Sequence, residues 1–303
     1  MGEELPGLFD YAITPRIVAA GAAGGGPSEV DFLITAHNGG PGSVRCSRLV
    51  FTLPVGTEGM HLTGGAAEVH AAAARGTPWS IAGDGSGSFA ATPDAPGTGL
   101  GPGETIGFTL SGVRINGAEG VALLTVDEES DGARRASLQT VKGPPGLAIV
   151  CFTADAVEAG EAGPVTLAWR ATGARQATLS WRGHREVVPV EGSFQVSPER
   201  TTEFRLTVTD GEQILSQSLT VWVERVRIAA FTAEPACVAP GKPVTLSWAV
   251  FRAQECGLEP GHASVPPEGT LEVCPQTTSD YVLTGRSGPF TDAAVARVEV
   301  SGN

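Results

Sequence analysis

Residues 151–170 and 230–249 carry one pattern written twice. CFTADAVEAGEAGPVTLAWR lies over AFTAEPACVAPGKPVTLSWA at a constant offset of 79, without a gap. The correspondence continues through Leu179 and Leu258, through GSFQVSP (192–198) and GTLEVCP (269–275), and through Phe204 and Tyr281, with about two residues lost between copies. Self-similarity at a fixed period means that one small structural unit has been built twice. The expected boundaries are 1–145 for a larger first domain and 146–225 and 226–303 for the two copies.

Within the first copy, residues 164–172 alternate Val165, Leu167 and Trp169 against Thr166, Ala168 and Arg170. A period of two with β-branched residues predicts a half-buried strand. ATLSW, HREVVPV, SFQVS, TEFRLTVTD and ILSQSLTVWV follow, separated by Gly, Pro, Asp or Ser, and the second copy repeats the series. The first domain obeys similar rules. Residues 29–56 predict two strands around an NGGPG turn, 103–115 a further strand, and 120–141 a hairpin closed around Asp131 and Gly132. Gly (41) and Pro (22) exceed a fifth of the 303 residues, while 41% remain hydrophobic. That balance suits many short strands and many turns, and is too apolar for disorder.

The shared framework, Phe-Thr-Ala, Pro-Val-Thr-Leu-x-Trp, Gly-Ser/Thr-hydrophobic-x-Val-x-Pro and aromatic-x-Leu-Thr, resembles the tandem bacterial immunoglobulin-like domains of surface and particle proteins, over residues 147–300. The resemblance implies two antiparallel sheets face to face, with Trp169 and Trp248 inward. The cysteine pair of antibody domains is missing from the second and penultimate strands, so the inter-sheet disulfide is not expected. In the first domain NGGPGS with a following LPVG is similar to another bacterial immunoglobulin-like repeat of large surface proteins. The expected fold is therefore all-β: three consecutive antiparallel β-sandwich (immunoglobulin-like) domains in an elongated arrangement. KGPPG (142–146) reads as a rigid joint. Residues 223–227 lack Pro and Gly and predict limited bending between the copies.

The net charge of −13 argues against nucleic acid and anionic membrane as partners. No run approaches the eighteen apolar residues of a membrane span. MGEELPGLFDYAITP has neither a basic nor an apolar signal region, so a cytosolic or particle (virion) setting is expected, with the cell surface as the alternative. Cys46, Cys151, Cys237, Cys256 and Cys274 contain no CxxC and read as free, buried or half-buried thiols.

Candidate chemistry is sparse. His184 and His262 share one turn position in the two copies, and His61 with His70 lack a third metal ligand. GDGSGS (83–88) and GAAGGG (21–26) carry neither the helix of a nucleophile elbow nor the Lys of a phosphate loop, and read as mobile loops. Asp127, Glu128, Glu129 and Asp131 suggest calcium by their carboxylates, but a solvated hairpin tip fits their spacing better. Trp79, Trp181 and Trp222 do not recur, so an exposed one among them is the candidate platform for a sugar. No catalytic, cofactor-binding or metal residue is assigned. The reading is a non-enzymatic structural and interaction protein without cofactor, meeting a protein partner or copies of itself, as a component of a phage or phage-like particle. The alternative is a cell-surface adhesin or carbohydrate-binding protein. The unrepeated loops 83–88 and 93–103 are the expected contact points.

Overall fold

The computed structural model describes residues 7–21, 28–40, 42–95, 99–130, 133–159, 164–223, 226–287 and 290–301. Every regular element among them is a β-strand. The chain divides into two compact units, Met1–Glu224 and Arg225–Asn303.

The first unit begins with a sandwich. One sheet pairs Asp10–Thr14 with Glu29–His37, then Thr105–Arg114 and His70–Ala73. The facing sheet runs Ile17–Ala19, Ala133–Gly143, Gly120–Glu129, Arg48–Thr52, Ser88–Pro93 and Trp79–Gly83. Asp10–Thr14 is antiparallel to one sheet, and after Pro15 the chain crosses so that Ile17 pairs in parallel with Val141 of the other. That crossing of the first strand recurs in each sandwich, where Glu158–Ala159 and Cys237–Val238 run parallel to the last strand. Inward residues of both sheets, including Phe32, Phe51, Phe89 and Phe108, form the core. Phe51 and Phe108 meet at a ring separation of 5.2 Å.

The second sandwich stacks Ala148–Ala154, Val165–Thr172 and Glu191–Val196 on a sheet ordered Glu158–Ala159, Ile214–Val223, Thr202–Thr209, Gln176–Trp181 and His184–Val188. It is not separate from the first. Cys151 pairs in parallel with Asp31, so one sheet of seven strands passes from sandwich to sandwich. Asp31 also accepts the Gly112 N–H at 3.0 Å where Thr105–Arg114 bulges.

The second unit repeats the design with Arg227–Glu234, Val244–Phe251 and Glu268–Val273 facing Cys237–Val238, Phe290–Val300, Ser279–Ser287, Glu255–Glu259 and His262–Val265. Its core holds Trp248, Tyr281, Leu246 and Leu283. The two copies agree in detail. Trp169 donates to the Pro189 carbonyl at 2.8 Å and Trp248 to the Pro266 carbonyl at 2.9 Å. Gly192 and Gly269 lie under these rings, where an added Cβ would stand 3.2 and 3.0 Å from ring carbons. The repeated glycine is thus a packing requirement of the repeated tryptophan.

The predicted hairpin exists, with Glu129 opposite Ala133, although its tip at Asp131 and Gly132 lies outside the described residues. So do residues 22–26 of the GAAGGG stretch and 224–225 of the joint between copies.

Candidate interaction face

Gly120–Glu129 alternates strictly. Ala122, Leu124 and Val126 point into the core, while Val121, Leu123 and Thr125 point to solvent. Val121 pairs with Val141, and Val141 with Ile17, so three strands align an apolar row on the outer face; Leu123 extends it beside Gln139. These side chains keep 45% (Val121), 52% (Leu123), 37% (Val141) and 38% (Ile17) of their surface exposed, and they make up half of the eight exposed large hydrophobics among the described residues. The rest of the face is filled by outward residues such as Thr52, Ala90, Thr92 and Ser137. At one end charge is paired, Arg135 to Asp127 at 2.6 Å and Arg48 to Glu129 at 3.3 Å; at the other, exposed Arg16 adjoins Ile17.

Beside this face a cavity of about 570 Å³ follows the seam between the first two sandwiches, with Ile17, Gln139 and Val141 on one wall and Gln217, Ser218 and Trp222 on the other. The seam is closed by specific contacts. Thr14 donates its hydroxyl to the Ser218 carbonyl at 3.1 Å, and Gln217 Oε1 accepts the Arg16 N–H at 3.0 Å. His37 stacks on Trp222 with ring centres 3.7 Å apart, and its Nδ1 lies 2.9 Å from the Thr105 hydroxyl. Burial lowers the His37 pKa below its ordinary value, against an opposing pull from Asp10. Arg75 adds an ion pair to Asp155 at 3.1 Å and a bond to the Pro164 carbonyl at 2.7 Å.

Two charged residues are buried in the first sandwich. Glu128 continues the inward series of Ala122, Leu124 and Val126, is 1% exposed, and accepts the Leu8 N–H at both oxygens and the Tyr11 hydroxyl at 2.8 Å. Burial, and then the Glu128 charge, push the Tyr11 phenol far above its ordinary value. Lys142 ends the inward series of Leu138 and Thr140 and is 2% exposed. Its ammonium donates to Asn116 Oδ1 at 2.6 Å and to the carbonyls of His61 and Glu58, and burial lowers its pKa. Asn116 Nδ2 binds the carbonyls of Gly56, Glu58 and His61, which fixes that loop.

The carboxylate run therefore corrects the expectation of a solvated tip. Glu128 is interior, Asp127 and Glu129 are paired to arginines, and Asp131 lies outside the described residues. Among the described residues no cluster of three His, Cys, Asp or Glu side chains has the form of a metal site. His61 accepts from the Glu58 N–H, and His70 opens an edge strand. His184 packs against Trp181 at 5.5 Å; His262 begins the matching strand. Trp79 is 2% exposed and Trp222 is taken up in the seam, which leaves Trp181, half-buried against Phe194 and Phe204. The 83–88 stretch is a hairpin turn, in which Asp84 accepts the N–H groups of Ser86 and Ser88 at 2.8 and 3.2 Å. Of the 93–103 loop, residues 96–98 lie outside the described residues. The five cysteines are free thiols; Cys237 and Cys274 are exposed where burial was expected.

Sequence reasoning missed the interaction face, yet a signal was present. GVALL (120–124) is apolar at both parities, which puts Val121 and Leu123 on the outer face before the outward series turns polar at Thr125.

No protein-family model matches the chain. An uncharacterized protein of Ruminiclostridium cellulolyticum is 31% identical over 186 residues, covering 59% of this chain and 46% of that protein. The chain thus spans about half the length of the curated relative it matches. Among solved structures, the Escherichia coli adhesin FdeC is similar at 10% identity and a TM-score of 0.29, with 99% of each chain covered. The ectodomain of mouse nectin-like molecule 4 gives 16% and 0.28, with 82% of this chain and 97% of that one covered. Drosophila N-cadherin EC1-4 gives 13% and 0.26, with 99% and 94% covered. At these scores the immunoglobulin-like assignment rests on the strand pairing described above.

Proposed function

We propose that this chain is a non-enzymatic structural and interaction protein, three immunoglobulin-like sandwiches with boundaries near 145 and 225, whose first sandwich presents an open sheet face to a protein partner. The observation that carries this reading is the row Ile17, Val141, Val121 and Leu123, exposed together on one outer sheet face. Clustered apolar surface of this kind marks contact sites, whereas singly exposed hydrophobics do not. The buried Glu128 and Lys142 fit the same reading, since each is held by groups that fix local geometry rather than opened to a cavity where a substrate would bind. A sugar platform draws less support, because Trp79 and Trp222 are occupied within the protein. A phage-particle setting draws none from the relatives or structures above.

A photo-crosslinking amino acid at position 123 tests the proposal in the organism that makes the protein. Protein adducts are expected from position 123 and not from position 187, a more exposed valine on an edge strand. Irradiation without any protein adduct at 123 overturns the reading.

A further inference from the structure

We propose that the cavity at the seam of the first two sandwiches is a binding site for a small organic monocarboxylate with an apolar body. The site is independent of the protein contact proposed above. Three observations point to it. The first is an amide that is only half used. Gln217 is 7% exposed and lines the cavity, and its Oε1 accepts the Arg16 N–H at 3.0 Å. That bond fixes which way the amide points, and its N–H₂ group meets no acceptor among the described residues. A side chain buried this far ordinarily has its donors matched.

The second is charge. Arg16 lines the same cavity and is exposed, and its guanidinium makes no ion pair or hydrogen bond among the described residues. A guanidinium takes the two oxygens of a carboxylate through parallel N–H···O bonds, and the Gln217 amide adds a further donor. One cation balances one charge. A phosphate dianion would bring a second negative charge toward Glu203, which also lines the cavity and whose Oε1 already accepts Arg205 and the Ser218 hydroxyl, each at 3.2 Å.

The third is the wall. Buried Leu33 and Leu219 and the ring of Trp222 form it, with Ile17 and Val141 nearer solvent. Trp222 is held by its stack on His37 at 3.7 Å, and the Thr14 hydroxyl ties the seam to the Ser218 carbonyl at 3.1 Å. The cavity is therefore shaped before a ligand arrives, which reduces the ordering cost of binding. Its volume of about 570 Å³ falls within the range of about 300–1,000 Å³ that encloses small organic molecules.

Titration of the isotope-labelled full chain with phenylacetate, followed by NMR at the Gln217 side-chain N–H₂ and the Trp222 indole N–H, tests this. Saturable shifts of both signals are expected, with a Kd on the order of 0.1–1 mM for so small a ligand. Phenylacetamide keeps the shape without the charge and should bind about tenfold more weakly. Arg16→Gln should weaken phenylacetate about tenfold to a hundredfold and leave phenylacetamide unchanged. Folding is not at issue in this variant, because the Arg16 side chain is exposed and only its backbone is bonded. Leu123→Glu, on the face of the protein contact, should leave the titration as it was. No saturable shift with phenylacetate, benzoate or hexanoate, or a carboxylate affinity indifferent to Arg16→Gln, overturns the inference. Tighter binding of phenyl phosphate than of phenylacetate overturns it as well.

Discussion

Both carboxylate oxygens of Glu128 accept the backbone N–H of Leu8, at 3.0 and 2.7 Å, and so fasten the start of the first strand to the last hairpin of its sandwich across 120 residues of sequence. The Tyr11 hydroxyl completes the arrangement at 2.8 Å. An ionised acceptor facing two donors is the reason a carboxylate is tolerated at 1% exposure.

Glu128→Gln places an amide N–H₂ where donors already converge. It should cost about 2–3 kcal/mol of stability, read as a lowered urea midpoint with an unchanged slope. Tyr11→Phe, which removes one donor and leaves the carboxylate bound to Leu8, should cost about 1 kcal/mol.

Lys142 and Asn116 form the other buried polar centre. Burial depresses the lysine pKa from its ordinary 10.5, so between the depressed value and 10.5 the unfolded chain holds more protons than the native one. Stability of the first unit should therefore rise with pH across that window, and be lost as pH falls from 10.5 through the depressed value, below which both states are protonated and the dependence ends. Lys142→Met should flatten this rise in a series of urea titrations. Asn116→Ala removes the amide group that donates to the Gly56, Glu58 and His61 carbonyls and should cost about 2–4 kcal/mol.

His37 sets the acid side. Its folded pKa lies below the ordinary 6.5, so on acidification the unfolded chain protonates first. The stabilisation is fully present above pH 6.5 and is lost as pH falls from there toward the folded value. Thermal unfolding should show the melting temperature of the first unit dropping over that range. His37→Gln should remove much of the dependence, at the cost of the stack on Trp222.

The paired glycines allow an internal comparison. Gly192→Ala and Gly269→Ala each drive a methyl toward a tryptophan ring, at 3.2 and 3.0 Å, and overpacking of this kind costs about 1–3 kcal/mol. Measured on the unit that contains it, each alanine should destabilise, with the larger loss at Gly269.

Much of this fold was legible in the chain itself. The repeat placed the strands of both copies and put Trp169 and Trp248 inside, because matched alternation in two copies separates framework from surface. The first sandwich was harder, since it has no second copy to compare. Glu128 was misjudged by counting carboxylates, although parity with Ala122, Leu124 and Val126 places it inward. Trp79 gave no such cue: it opens Trp79–Gly83, whose small residues show little alternation, and its burial depends on the facing sheet. The His37–Trp222 stack joins residues far apart in the chain, and local pattern carries no information about such a pair.

The bridge between Asp31 and Cys151 has a practical meaning for anyone who would cut this protein into pieces. The sequence advertises an interchangeable module beginning near residue 146, but excision there would split a continuous sheet and strip Ala148–Ala154 of its neighbour Glu29–His37. A fragment made that way would carry a raw, sticky margin. The smallest portable piece containing the first copy is the whole of Met1–Glu224.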